Sequence, residues 1–298
     1  MNKIRVFMTG GTGKIGKRLI EKMDLSKYDV YVLCRNKEHE LIPLLKVVLG
    51  DLAESESYSS VFKNKIDIVV HMGAITHTNN VSKYYKINAE ATSELIKLCE
   101  SSGIKKFVFI STRAISDKGG HYSRSKAMAE TYVRQSGLKW VIMRMAEVYG
   151  IPGGEGVDLV LDRIKNMPIV PIIGNGEYSI APVHVSDAVS VIIRAIEKDG
   201  INNKLYNVAG PENFTYNEFI DRILKLSGLR KIKIHIPVIF VSVFLRIYAA
   251  ISKSESLLVM DQLPRLLSNK SYDISEAFRD LDFKPLSLEN FIGKDERI

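Results

Sequence analysis

Several things are scarce in this chain. Its 298 residues hold two cysteines, Cys34 and Cys99, one in a strand-like and one in a helix-like segment. That excludes a disulfide framework, and both are read as buried thiols in a reducing compartment. No His/Cys/carboxylate cluster has metal-ligand spacing, so no metal is expected. No Gly-x-Ser-x-Gly elbow is present, which excludes a hydrolase of that kind. There is no low-complexity tract and no repeat at a solenoid period. The formal net charge is +8, yet the basic residues are scattered, without a dense block or a nucleic-acid module. The surplus is read as a solvated surface that suits anionic small molecules and not nucleic acid. The chain opens directly on a strand-like run, from which no secretion signal and a cytoplasmic location are expected. The longest apolar run, IPVIFVSVFLRIYAAI from Ile236 to Ile251, has 16 residues and contains Arg246. A membrane span needs about 20 apolar residues. A buried or partly exposed helix of a C-terminal lobe is favoured over one lying on a membrane.

What is present is a rhythm. Short apolar runs recur at Ile4–Met8, Val30–Leu33, Val47–Leu49, Ile66–Val70, Phe107–Ile110 and Trp140–Met143, and helical patterns at Lys14–Met23, Ile87–Ser101 and Tyr122–Gln135 separate most of them. Continuous apolar strands alternating with helices predict a doubly wound parallel α/β sheet covered on both faces. Residues 1–150 read as this unit. Residues 151–298 read as a smaller, mostly helical lobe, with segments around 180–210 returning to the main sheet.

Between the first strand and first helix lies TGGTGKIG, with Gly10, Gly13 and Gly16 three apart. In that context the glycines suit a dinucleotide: Gly10 for a sharp turn, Gly13 for close approach of a pyrophosphate, Gly16 for close packing of helix on sheet. The N–H groups of the helix start would face the phosphates. The second strand ends Leu33-Cys34-Arg35-Asn36, without the acid that often binds a ribose 2′-hydroxyl. Arg35, seconded by Lys14, suits a 2′-phosphate, which predicts NADP over NAD.

HYSRSK, from His121 to Lys126, places Tyr122 and Lys126 four apart on one face of a helix. A nearby ammonium stabilises a phenolate, so the pair can act as a proton-transferring unit. The fifth strand ends at Ser111-Thr112, ten residues before Tyr122. Carboxyl ends of such strands face the ligand crevice. Thr112, with Ser111 behind it, is the candidate to bind a reacting oxygen. His71 and His184 are read as packed or hydrogen-bonded structural residues.

Taken together, these motifs resemble the extended short-chain dehydrogenase/reductases, in the NAD(P)-dependent epimerase/dehydratase group. The resemblance runs over nearly the whole chain. It covers the loop Thr9–Gly16, including Thr12 and Ile15, then Gly50-Asp51-Leu52, Val69 to Ala74, Asn88 with Thr92, Phe107 to Thr112, and Tyr122/Lys126. It continues through Arg144, Val148-Tyr149-Gly150, Pro182 to Asp187 and Tyr206 to Ala209. It implies a Rossmann fold and cofactor contacts from Gly10, Thr12, Gly13, Lys14, Ile15, Gly16, Arg35, Asp51, Leu52, Met72, Gly73, Ala74, Asn88 and Lys126. It also implies that Tyr122 exchanges a proton, Lys126 holds the nicotinamide ribose and Thr112 orients the reacting oxygen. Hydride would pass to or from a sugar carbinol carbon, on a nucleotide sugar. A homodimer pairing the helices around Ile87–Ser101 and Tyr122–Gln135 is likewise implied.

The chain departs from the family pattern in places. Arg113-Ala114 follows Thr112 where dehydratases usually carry Asp-Glu, which disfavours a 4,6-dehydratase. Glu147 stands where many sugar epimerases have Asn, and a carboxylate beside a diphosphate would be repulsive. A non-catalytic NAD(P)-binding sensor or scaffold of the same fold is the alternative reading.

Overall fold

A computed structural model describes residues 3–36, 45–154, 156–251, 260–270 and 272–292. The first half runs β1 (Ile4–Thr9), α1 (Lys14–Lys22), β2 (Tyr28–Cys34), β3 (Lys46–Leu49), β4 (Ile68–His71), α2 (Val81–Tyr84), a π-helical turn (Tyr85–Glu90), α3 (Ala91–Ser101), β5 (Lys106–Thr112), α4 (Gly120–Gln135) and β6 (Trp140–Met145). The second half runs β7 (Val148–Tyr149), α5 (Val157–Asn166), β8 (Ile169–Ile173), β9 (Ser179–Ile180), β10 (Val183–His184), α6 (Val185–Glu197) and β11 (Lys204–Val208). It closes with β12 (Phe214–Thr215), α7 (Tyr216–Leu226), β13 (Ile232–Ile236), α8 (Val238–Ile251), α9 (Gln262–Leu266), α10 (Ser275–Leu281) and α11 (Glu289–Ile292).

Seven strands form one parallel sheet in the order β11-β6-β5-β4-β1-β2-β3. Side chains alternate across it with period two. Val6 and Met8 of β1 join Val30, Val32, Val70 and Val108 on one face, where α1 and α6 cover them through Leu19, Ile20, Val189 and Ile192. Phe7 points the other way, to Tyr31, Val69, Phe107 and Phe109, under Leu95 and Ile96 of α3 and Ala129 and Val133 of α4. The doubly wound sheet expected from the apolar runs is therefore present. Its strand order reverses between β1 and β4, and ligands of such sheets bind at that switch, outside the carboxyl ends of the strands.

The second half is not a separate layer. It supplies α6 and the edge strand β11 to the main unit and builds its own core from Tyr149, Leu161, Ile172, Phe219, Ile223 and Leu288. The helix expected at Ile87–Ser101 begins earlier, at Val81, where the Asn80 side chain accepts from the Ser82 N–H. It carries a π-turn holding Asn88. Of α8, only Leu245 is buried, so the expected packing of this helix into the lobe is confined to one narrow side. Among the described residues, no helix is long and apolar enough to cross a membrane.

Gly10 has φ +73°, and a Cβ there would lie 2.7 Å from the Gly73 nitrogen and the Met72 carbonyl carbon. Gly103 has φ +68° with nothing near its Cβ position. Gly103→Ala should cost only the left-handed backbone penalty, about 1–2 kcal/mol. Gly10→Ala should cost clearly more, because the β1 loop must also move off the β4 loop. Thermal unfolding of both variants checks this; equal losses would show that the close approach is relaxed at no cost.

Candidate active site

The loop after β1 turns at Gly10, and the Gly13 N–H donates to the Gly10 carbonyl at 3.0 Å. A Cβ on Gly16 would fall 2.3 Å from that same carbonyl, so α1 starts pressed against the loop. A Cβ on Gly13 would meet only the Gly10 carbonyl, at 3.2 Å, and otherwise open space. No side chain caps α1 and no acid sits in its first turn. An uncapped helix start with an open glycine beside it fits a phosphate group. Thr12 and Ile15 are half-buried in this loop and Lys14 is exposed. The Lys14 ammonium donates to the Gly153 carbonyl at 2.7 Å, tying the loop to the second half.

Arg35 lies exposed just past β2. Asp51, just past β3, accepts from the Ala53 N–H at 2.9 Å in a tight turn, and its own N–H donates to Ser57 Oγ. Leu52 reaches toward the β4 loop, where a Cβ on Gly73 would strike it at 2.8 Å. Met72 and Gly73 are half-buried and Ala74 is exposed.

A buried polar chain joins these strand ends to the helix of Tyr122. The Gly73 N–H donates to Thr9 Oγ1 at 3.0 Å, and Thr9 Oγ1 donates to His71 Nδ1 at 2.6 Å. His71 Nε2 donates to Thr92 Oγ1 at 2.8 Å, which donates to the Asn88 carbonyl. The direction follows from the fixed donor at one end, the Gly73 N–H, and the fixed acceptor at the other, the Asn88 carbonyl, which together assign the proton of His71 to Nε2. The Asn88 amide then holds the Ile75 N–H and carbonyl and donates to Ser125 Oγ at 3.1 Å. Ser125 donates to the Tyr122 carbonyl. Burial and the nearby Lys126 hold His71 neutral, with its pKa down at about 3. It is a structural residue.

Tyr122 lies beside Thr112, whose hydroxyl works to lower its pKa and whose Oγ1 accepts from the Ala114 N–H. Lys126, 2% exposed, donates to the Ile110 carbonyl at 2.9 Å and lies 4.0 Å over the Phe109 ring. The three residues singled out in the sequence thus converge at the end of β5. Their electrostatics differ from expectation. Burial raises the Tyr122 pKa above its ordinary value, opposed by the Arg265 guanidinium and then by the Thr112 hydroxyl beside it. Burial also lowers Lys126 to about 7, opposed by Glu130. The cation that favours the phenolate here is Arg265, because the lysine ammonium is turned to a carbonyl and a ring face.

Arg265 was not foreseen. It lies on α9, 4.1 Å over the Tyr122 ring, and donates to the Thr76 carbonyl at 2.6 Å. Nor was Asp261, whose carboxylate accepts from the His121 and Tyr122 N–H groups at 2.5 and 3.0 Å. It caps the start of α4, which has no cap from its own flank. Glu147 is not a bare carboxylate: Lys270 Nζ lies 2.7 Å away and the Tyr272 hydroxyl 3.1 Å. The repulsion expected for a diphosphate is therefore already offset within the protein. Arg113 donates to Asn207 Oδ1, with its Nε buried and without a hydrogen-bond partner. Arg144 forks onto Glu130, which also accepts from Ser111. His184 stacks 3.6 Å from Phe291 and caps α6, a structural part.

Sheet order and the glycine loop between β1 and α1 define a Rossmann-like α/β fold. The model of the NAD dependent epimerase/dehydratase family matches residues 6–209, and the chain belongs to that family. It is 28% identical over 264 residues to the sterol-4-alpha-carboxylate 3-dehydrogenase, decarboxylating, of Dictyostelium discoideum, covering 77% of this chain and 78% of that one. It is 30% identical over 239 residues to the NADH dehydrogenase [ubiquinone] 1 alpha subcomplex subunit 9, mitochondrial, of the same organism; there it covers 77% of this chain but 65%, just under two thirds, of the relative. The crystal structure of UDP-glucuronic acid 4-epimerase from Bacillus cereus, in complex with UDP-glucuronic acid and NAD, superposes with a TM-score of 0.76 at 20% identity, over 97% of this chain and 96% of that one. That likeness is one of fold.

The neutral His71 makes a pH prediction. Its folded pKa, about 3, lies below the ordinary 6.5. Unfolded chains take up a proton below pH 6.5 that the folded chain refuses, so stability present above that pH is lost as pH falls toward 3. This group should contribute a slope of about 1.4 kcal/mol per pH unit in that window. Urea unfolding at stepped pH should show that component in the parent and not in His71→Val; the same slope in both contradicts a neutral buried imidazole.

Proposed function

We propose that this protein is an NAD(P)-dependent oxidoreductase or epimerase that moves hydride to or from a sugar carbinol carbon, on a nucleotide sugar, with Thr112, Tyr122 and Lys126 as its catalytic set. One observation carries this reading: Tyr122 lies beside the Thr112 hydroxyl at the carboxyl end of β5, with Lys126 one turn further along the same helix and bonded to the Ile110 carbonyl of that strand. The bound dinucleotide would accept or supply the hydride. Around it, Tyr122 would hand its proton to a carbonyl oxygen or take one from a hydroxyl, and Thr112 would hold that oxygen in line. The raised pKa of Tyr122 keeps the phenol protonated at neutral pH, ready to donate. Gly10, Thr12, Gly13, Ile15 and Gly16 would form the phosphate cradle, and Asp51, Leu52, Met72, Gly73 and Ala74 its walls.

The compensated Glu147 and the cationic Arg113 support an anionic substrate such as a nucleoside diphosphate sugar. Exposed Arg35, just past a β2 that ends without an acid, supports NADP. Titration of both cofactors tests this; tighter NAD binding defeats the preference. A homodimer through α3 and α4 and a cytoplasmic setting complete the proposal.

Tyr122→Phe should lower turnover by about 10²–10⁴-fold and leave cofactor affinity nearly unchanged. The assay supplies candidate nucleotide sugars and follows the reduced-nicotinamide absorbance together with the sugar product. Product without net cofactor change identifies an epimerase. A fully active Tyr122→Phe variant overturns the assignment. The alternative, a binding module without chemistry, is favoured by the burial of Tyr122, 8% exposed under Arg265. It predicts cofactor binding and no turnover in parent and variant alike.

A further inference from the structure

β13 and α8 turn an apolar surface outward. β13 pairs in parallel with β8, with Ile232 opposite Ile169 and Ile234 opposite Pro171. The pleat puts these four residues on one face. Ile232 is 70% exposed, Ile234 44% and Ile169 37%, whereas Val170 and Ile172, on the other face, are buried. The chain then passes through Pro237 into α8. Phe240, Phe244, Ile247 and Ile251 follow one another along a single stripe, with Ile239 and Val243 beside them. Phe240 is 65% and Phe244 63% exposed. Leu245, the one buried residue of this helix, lies on the opposite side. An ordinary surface helix keeps large apolar side chains off its solvent side; this one, apolar nearly all round, exposes a whole row of them.

Within the segment that carries this face the charge has one sign, and the neighbouring Asp221 is taken up by Lys233. From Arg222 to Ser254 the sequence contains no Asp or Glu, and Arg230, Lys231, Lys233 and Arg246 are interleaved with the apolar residues. Arg230 and Arg246 are exposed. Lys233 is held by Asp221, at 2.7 Å. α8 has 14 residues, about 21 Å of helix, too short for a hydrocarbon core of about 30 Å.

We infer that the β13–α8 face docks the protein on an anionic lipid bilayer. α8 lies in the headgroup region with Phe240 and Phe244 inserted, while Arg230, Lys231 and Arg246 meet lipid phosphates. The cationic surplus of this segment selects lipid over a second copy of this chain: a two-fold dimer through this face would bring Arg230, Lys231 and Arg246 together with those of its partner. Lipid docking is independent of the reaction proposed above, and its test uses no substrate.

The full chain is sedimented with vesicles of phosphatidylcholine alone or phosphatidylcholine with phosphatidylglycerol, at low and high salt. Binding is expected on the anionic vesicles, weakened by salt. The pair Phe240→Ser/Phe244→Ser should reduce partitioning at least about tenfold. The pair Arg230→Ser/Lys231→Ser should reduce it about tenfold on anionic vesicles only. Both pairs should keep the parent thermal midpoint, since none of the four side chains is in the core. No binding by the parent overturns the inference. So does equal binding by the phenylalanine pair, or a parent dimer in solution that this pair abolishes.

Discussion

The buried imidazole of His71 is the constraint on which the rest of the site depends. Through Thr9 and Gly73 it fixes where β1 and β4 end, and so the two walls of the strand-order switch. Through Thr92 and Asn88 it reaches Ser125, between Tyr122 and Lys126. A single intact hydrogen bond adds only about 1 kcal/mol, but a buried partner left alone costs about 1–3 kcal/mol. Each member of the chain therefore holds its neighbours in place more firmly than any one bond suggests. Because the imidazole is neutral, one nitrogen accepts and the other donates, which gives the chain a single direction from the glycine loop to the tyrosine helix.

Local chemistry was readable from sequence wherever the spacing itself was the cause. Three glycines between a strand and a helix specify their own turn, and that turn is present; a tyrosine and lysine one helical turn apart share a helix, but the ammonium turns to the Ile110 carbonyl and not to the phenol. Thr112 was placed by counting from a strand end, and it meets Tyr122. Contacts set by the path of the distant chain were not readable. Nothing near Asp261 or Arg265 announces that α9 will lie on the start of α4, some 140 residues earlier. The compensation of Glu147 by Lys270, 123 positions away, escaped the same way. The π-turn around Asn88 leaves no mark in an apolar pattern averaged over several turns. For α8, composition gave a helix but could not give its orientation, because an all-round apolar sequence has no periodicity to say which side is in.

The electrostatics of the site follow from its dryness. Tyr122 and Lys126 are both shielded from water, and shielding disfavours the charged form of each. It pushes the phenol up and the amine down, so two proton affinities that are ordinarily close are driven apart, and the phenol holds its proton more tightly than the amine. A guanidinium, which cannot lose its proton, is brought by α9 to the ring face. The fixed charge thus comes from the C-terminal part of the chain, while the titrating groups come from the N-terminal sheet.

Strand β11 has a consequence for how the molecule comes into being. It is the edge of the sheet, yet it leaves the ribosome about sixty residues after its partner β6. At roughly 5–20 residues per second, that is a wait of roughly 3–12 seconds. During it, the open backbone of Trp140–Met145 can pair with any passing strand. Nascent chains are thus most prone to misassembly with one another late in synthesis, after β1 to β6 are made but before the sheet is closed.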